Sequence, residues 1–250
     1  MKNVIKSYAD YKLHREIGKL IKSYSENRSD IRDVVERALE WESTKKILDL
    51  GCGYGWFEET LKGTFDLVYG IDCHGENEAA FVGVSSRVAQ EVVFKSMYLP
   101  CSITMPPDSF DLIVSAYTLY FFPEIIPEVK RLLHPGGTFV VITHSEKMLE
   151  EGEKYFEFNN LKKVIQRFSA ENGEEILKKT FREVIAIDYY NSLVFKKGAG
   201  DDLARYIDFK REFIAKDVDP DVVRKKMLDE LQIKGVVRFN KNDRIFIGKK

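Results

Sequence analysis

From Lys46 to about residue 143, short apolar runs alternate with helix-patterned stretches, and a glycine-rich turn directly follows the first run. These two observations predict an α/β protein with a parallel sheet and helices on both faces. The bulk numbers agree. A chain of 250 residues suffices for one complete α/β domain with a modest insertion, and 44% hydrophobic with 32% charged residues is ordinary globular composition. Thirty-nine basic against 40 acidic side chains give a net charge of −1, so no global field draws the chain onto a polyanion, which argues against a nucleic-acid partner. Charges scattered through the first twenty residues fit neither a signal peptide nor a membrane span, and a cytoplasmic enzyme without a membrane partner is expected. Cys52, Cys73 and Cys101 are odd in number and widely spaced, so no disulfide framework or metal site is expected.

In chain order, residues 4–42 read as a helical arm, with Val4, Ile5, Tyr8, Tyr11, Leu13, Ile17 and Leu20 recurring at helical spacing. Ser29 is the expected cap of its second helix. Strands are expected at 46–50, 67–71, 91–95, 110–115 and 137–143, with helices at 55–62, 76–89 and 123–133. The last helix should stop at Pro135-Gly136-Gly137. Beyond the fifth strand the pattern is helical through 147–168 and 172–180, alternating β at 183–195, then two helices. Asp219 and Pro220 open the second of these. Strands near 235–240 and 244–248 flank a turn at Lys241-Asn242-Asp243. The basic run Arg224-Lys225-Lys226 reads as a solvated helix face. One domain is expected: an arm over 1–44, a cofactor-binding core over 45–145, and substrate-side helices with closing strands over 146–250.

The most informative stretch is Ile47-Leu48-Asp49-Leu50-Gly51-Cys52-Gly53-Tyr54-Gly55, a strand running into three glycines. Glycine permits positive φ and close ligand approach, and a helix starting there would offer unpaired amides to a carboxylate or phosphate. The spacing is G-x-G-x-G rather than the dinucleotide G-x-G-x-x-G, which disfavours NAD. Asp49 would repel a pyrophosphate and suits a cationic group such as a ligand ammonium. Nineteen residues beyond Gly53, a second apolar strand ends in Asp72, placed to accept hydrogen bonds from ribose hydroxyls.

These residues, with Ser109-Phe110-Asp111-Leu112-Ile113-Val114-Ser115 and Arg131-Leu132-Leu133-His134-Pro135-Gly136-Gly137-Thr138-Phe139-Val140, resemble the class I S-adenosylmethionine-dependent methyltransferases, of the group often labelled type 11, over about 45–145. The resemblance implies a Rossmann-like, seven-stranded, mostly parallel sheet with the last strand antiparallel, an N-terminal helical arm and a helical insertion after the fifth strand. It implies S-adenosylmethionine as cofactor. Asp49, Gly51, Gly53 and Gly55 would contact its methionine part and Asp72 the ribose, with Cys52, Tyr54 and Cys73 also in the cofactor site. Ser115 and Ala116 fit where carbonyls receive the ligand ammonium. The family's aspartate after the third strand is absent, which leaves adenine to Ser96, to backbone groups or to packing with Met97.

A sulfonium methyl is already activated, so the protein must chiefly place a nucleophile in line and exclude water. If the acceptor carries a proton, a histidine is the natural base. Of His14, His74, His134 and His144, the last lies just beyond the fifth strand, on the expected acceptor edge, and is the first candidate. His74 falls near the adenosine and His134 in the turn away from the ligand. Tyr120, in the aromatic stretch after the fourth strand, is the second candidate. Tyr8 and Tyr11 could close over the cofactor. The expected reaction is methyl transfer to a small molecule. An RNA or protein methyltransferase and a noncatalytic scaffold of the same fold are the alternatives. Neither the acceptor nor the oligomeric state is legible.

Overall fold

The computed structural model describes residue 5 and residues 8–153, 159–211 and 218–250. The arm holds two helices, α1 (Tyr11–Tyr24) and α2 (Ile31–Ala38). Their caps are Asp10 and Asp30, whose side chains accept from backbone amides of the first turn. Asp30, not the expected Ser29, caps α2, because its carboxylate also engages the Arg32 guanidinium. The start of the arm at 1–4 and 6–7 lies outside the described residues.

The first half of the core comprises β1 (Lys46–Leu50), β2 (Phe65–Asp72), α3 (Glu78–Ser85), β3 (Ala89–Ser96), β4 (Phe110–Ala116), α4 (Ile126–Leu132) and β5 (Leu133–His144). The second half adds α5 (Asn159–Ile165), α6 (Gly173–Lys178), β6 (Glu183–Tyr189), β7 (Ser192–Lys196), α7 (Gly200–Phe209), α8 (Pro220–Lys234), β8 (Val236–Asn240) and β9 (Asp243–Lys249). Seven strands form one sheet in the order β3-β2-β1-β4-β5-β9-β6, while β7 and β8 pair in a separate two-stranded sheet. The inner pairs are parallel and β9 alone runs antiparallel to both neighbours. That is the mostly parallel Rossmann-like sheet the sequence resemblance implied.

Three expectations need correction. The helix expected over 55–62 is a set of turns and one 3-10 turn at Glu58–Thr60; Gly53 and Gly55 carry positive φ of 52° and 88°, which breaks any helix starting there. The alternating stretch 183–195 is two strands in different sheets, split at Tyr190-Asn191. The helix expected through 147–168 is a 3-10 turn at Glu150–Gly152 and the short α5, with 154–158 outside the described residues.

Alternate residues of each inner strand bury on opposite faces, as a sheet covered on both sides requires. Ile47, Val68, Leu112, Val140 and Ile245 pack with Ile31 and Val35 of α2 and Phe81 of α3. Leu48, Ile71, Ile113, Phe139 and Val141 pack with Val129 of α4, Val164 of α5 and Leu177 of α6. A third cluster unites Leu20 of α1, Phe195 of β7, Tyr206 of α7, Leu231 of α8 and Phe239 of β8. It forms a cap with its own core. Arg224 pairs with Asp208 and Asp221 while Lys225 and Lys226 are exposed, as a solvated face should be.

Candidate functional site

The chain runs from β1 to β2 and β3 on one side, then crosses so that β4 lies on the other side of β1. The connections leaving the C-terminal ends of β1 and β4 therefore run to opposite sides, and a crevice opens at that switch point. It holds a cavity of about 520 Å³ that extends from the glycine turn to the cap.

On one side of the cavity the glycine turn is fixed by its own chain. Gly51 has φ 78°, and a Cβ there would lie 2.7 Å from Thr118, whose hydroxyl donates to the Leu50 carbonyl. The amides of Gly51 and Cys52 donate to the Ile71 carbonyl. Asp72 accepts from Gly53 N at 3.0 Å through Oδ2 and from His74 N at 2.8 Å through Oδ1, with Asn77 Nδ2 at 3.3 Å. The expectation that amides at 51–53 and a following helix would grip an anion is thus overturned: a strand carbonyl and Asp72 take those amides. This side is acidic instead. Asp49, only 2% exposed, has Oδ1 without a partner, as do both oxygens of the fully buried Glu58. Burial, then the neighbouring Glu58 charge, pushes the Asp49 carboxyl well up, and burial pushes Glu58 up to about 7.

The other side carries the acceptor candidates. His144 closes β5, and the antiparallel register sets it opposite Asp243, the first residue of β9. His144 Nδ1 lies 2.7 Å from Asp243 Oδ1, while Oδ2 accepts from Lys241 Nζ and Tyr117 Oη, both at 2.8 Å. Burial pushes the Asp243 carboxyl up, but Lys241, then His144, outweigh it and hold the carboxyl below its ordinary value. An ionised Asp243 keeps the proton on Nδ1 and leaves the Nε2 lone pair as acceptor. Burial and the Lys241 charge bring His144 down to about 4, so the ring is neutral at pH 7. Tyr117 stacks on His144 at 4.6 Å with a left-handed φ of 60°, a strained backbone where β4 ends. The Tyr120 ring is 6.0 Å from His144, and burial pushes its hydroxyl well above the ordinary range.

Of the residues the sequence singled out, Asp49, Gly51, Cys52, Gly53, Tyr54, Asp72, Ala116, Tyr120 and His144 line this cavity. Gly55, Cys73, Ser96, Met97 and Ser115 are not in its wall. Gly55 packs against Val84 and Phe81, and Ser115 bonds inward to Thr118. Ser96 pairs beside Asp72 at the end of β3, and Met97 N donates to the Asp72 carbonyl. His74 and His14 also line the cavity, whereas His134 is exposed at the opposite edge. Sequence reasoning missed Tyr117, Lys210, Lys241 and Asp243. Lys241 and Asp243 were read only as turn residues.

An open sheet of this order, with a glycine turn at its switch point, is the Rossmann-like fold. A family model described as a methyltransferase domain matches residues 24–185, and the chain belongs to that family. Its cofactor is S-adenosylmethionine. The chain is 27% identical over 115 residues to the uncharacterized methyltransferase YcgJ of Bacillus subtilis, a stretch covering 43% of this chain and only 44% of that relative. The crystal structure of YcgJ superimposes with a TM-score of 0.59 at 17% identity, covering 88% of this chain and 97% of that one. A protein of Anabaena variabilis, described as a methyltransferase of an antibiotic biosynthesis pathway, gives 0.60 at 17% identity over 87% and 96%. Phosphoethanolamine N-methyltransferase 2 of Haemonchus contortus, solved with S-adenosylhomocysteine, gives 0.50 at 21% identity over 87% and 51%. These are likenesses of fold. The site residues fit the cofactor: nothing lies within 4 Å of a Cβ built on Gly53, which leaves the turn open to a ligand, and the partnerless Asp49 oxygen beside it suits a cation.

Proposed function

We propose that this chain transfers a methyl group to a small-molecule acceptor inside the cavity, with Asp49, Gly53 and Asp72 holding the cofactor and His144 accepting the acceptor's proton. The observation that carries the reading is that one cavity is walled both by the glycine turn with Asp72 and by the His144–Asp243 pair. Its volume is that of ordinary small-molecule sites, which favours a small acceptor over RNA or a protein.

When bound, S-adenosylmethionine supplies an electrophilic methyl whose carbon–sulfur electron pair leaves with sulfur. The chain's own task is then to orient a nucleophile, exclude water and take up a proton. The cap closes the cavity from above with Tyr8, His14 and Phe209. Asp243 fixes the His144 ring and stabilises the imidazolium that forms when Nε2 takes a proton. Tyr120 keeps its hydrogen and would donate it to the acceptor. Ser96 and Met97 flank the Asp72 strand end, where adenine would lie, and Cys73 follows Asp72 there. Among the described residues no helix is long and apolar enough to cross a membrane. With three free thiols, a reducing compartment such as the cytoplasm fits.

The test is calorimetry with S-adenosylhomocysteine. Micromolar binding, weakened about tenfold or more in Asp72→Ala, is expected. No binding to the wild-type chain would reject the reading.

A further inference from the structure

Asp72 cannot by itself hold both hydroxyls of a ribose. A carboxylate offers about four lone-pair sites, two on each oxygen. In Asp72, Oδ1 accepts from His74 N at 2.8 Å and from Asn77 Nδ2 at 3.3 Å, and Oδ2 accepts from Gly53 N at 3.0 Å. Oδ1 is therefore filled, and one site on Oδ2 remains. A ribose presents two neighbouring hydroxyls, each a donor that needs its own acceptor once water is excluded. Releasing Gly53 N to make room would free the amide that ties the glycine turn to β2.

A second acceptor stands beside the first. Asn77 lies just before α3, where its backbone N donates to the His74 carbonyl at 3.1 Å, and this turn brings its side chain back to Asp72. Only 3% exposed, it lines the cavity, and its Oδ1 has no hydrogen-bond partner. The orientation of the amide follows from chemistry: a carboxylate oxygen accepts, so the atom facing Asp72 is the amino group and the other is the carbonyl oxygen. A buried carbonyl oxygen left unpaired is costly, and a donor that arrives with the ligand relieves that cost. The rival acceptor is His74, whose Nε2 donates to the Ile5 carbonyl at 2.9 Å and leaves Nδ1 of the neutral ring free to accept. His74 is only half-buried, so water serves that nitrogen in the free protein, whereas the Asn77 oxygen is sealed from solvent.

We infer that Asp72 and Asn77 divide the cofactor's ribose diol between them, Asp72 Oδ2 taking one hydroxyl and Asn77 Oδ1 the other; this rests on the methyl-transfer reading above. Asn77 is then a residue of cofactor specificity, and its bond to Asp72 sets the two acceptors side by side, as neighbouring hydroxyls require. A deoxynucleoside would leave one of the two acceptors unpaired, which is how the site would reject it.

The experiment is calorimetry on the full-length protein with S-adenosylhomocysteine and its 2′-deoxy and 3′-deoxy analogues. Wild type should bind either analogue about tenfold or more weakly than the parent. Asn77→Leu, close in size but without an acceptor, should weaken S-adenosylhomocysteine and one analogue about tenfold each. The other analogue, lacking the hydroxyl that Asn77 takes, should lose less than about twofold, and it names that hydroxyl. A residue that only props Asp72 would weaken all three ligands by one factor, and that result overturns the inference, as does unchanged affinity in Asn77→Leu. Selective loss in His74→Phe in place of Asn77→Leu would give the second hydroxyl to the histidine and overturn it too. Should Asn77→Leu fail to fold, Asn77→Ser, too short to reach the diol, reads the same selectivity. If wild type binds S-adenosylhomocysteine and the three losses are equal, the inference fails while the methyl-transfer reading stands. If wild type does not bind it, that reading fails, and adenosine with its 2′-deoxy and 3′-deoxy forms puts the same question to the diol site; no binding of adenosine then overturns the inference as well.

Discussion

The two sides of the cavity are built in different ways. On the glycine-turn side, Asp49, Gly51, Gly53 and Asp72 come from two consecutive strands and the turn that follows the first, and the turn is held by bonds that span about twenty residues, such as Gly53 N to Asp72. On the lysine side, His144, Lys210, Lys241 and Asp243 are brought together over about a hundred residues by the β5–β9 register and by the cap. A cofactor shared by many proteins is met by a local motif, whereas an acceptor peculiar to one protein is met by distant elements whose identities vary freely.

The largest effect expected from breaking this contrast is on the local side. Gly51→Ala forces an L-residue into φ 78° and sets a Cβ 2.7 Å from Thr118, whose hydroxyl is tied to the Leu50 carbonyl. A loss of about 2 to 4 kcal/mol is expected, from backbone strain and overpacking together. Urea denaturation measures it. Wild-type stability in that variant would mean that the turn is looser than its hydrogen bonds imply.

The distant side answers to pH. His14 is brought down to about 4 by burial and the Lys210 charge, and His144 to about 4 by burial and the Lys241 charge. The unfolded chain protonates both near pH 6.5, so between pH 6.5 and 4 it binds more protons than the folded chain. Each histidine's contribution is full above that window and is lost as pH drops through it, by at most about 3 kcal/mol, while the raised Asp49 and Glu58 carboxyls act in the opposite sense over the same range. Comparing thermal melts of wild type and His14→Phe from pH 8 to 4.5 cancels the shared carboxyl effect, and the variant should gain stability relative to wild type as pH falls. A difference that does not change with pH would mean that His14 is solvated.

This division explains what the sequence could reveal. The strands of the first half, the glycine turn and Asp72 were legible because apolar alternation and glycine chemistry are local signals. Lys241 and Asp243 looked like turn residues because turns favour such side chains, and only the pairing of His144 with Asp243 in the sheet brings them to the cavity wall. Lys210 ends an amphipathic helix, where a lysine is usually solvated, and its burial depends on the cap packing. The anion-binding helix start was a misreading of another kind: positive φ at Gly53 and Gly55, with Asp72 holding Gly53 N, replaced a helix by turns. His144 was reachable because it closes a strand whose end is marked.

A sharper cut separates the sides by function. Asp243→Asn keeps the shape but removes the charge that holds the His144 proton on Nδ1 and lets the ring change tautomer. Turnover with an assigned acceptor should fall about a hundredfold, while S-adenosylhomocysteine affinity stays within about twofold. Parallel loss of both in a folded variant would show that the two sides are not independent.

The smallest effect belongs to Tyr120. Its ring stacks toward His144 at 6.0 Å, and burial, reinforced by Tyr8 and Asp243, keeps its hydroxyl protonated at any working pH. A group that never loses its proton cannot act as the base, and what remains for it is one hydrogen bond donated to the bound acceptor. Tyr120→Phe removes that bond and keeps the packing, so kcat should fall less than about tenfold, the size of a single neutral hydrogen bond. The kcat profile against pH should keep its wild-type shape, because His144 still sets the acidic limb. A hundredfold loss with a displaced profile would instead make the tyrosine hydroxyl part of the proton path, and the base would have to be sought in the Tyr120–His144 pair rather than in His144 and Asp243.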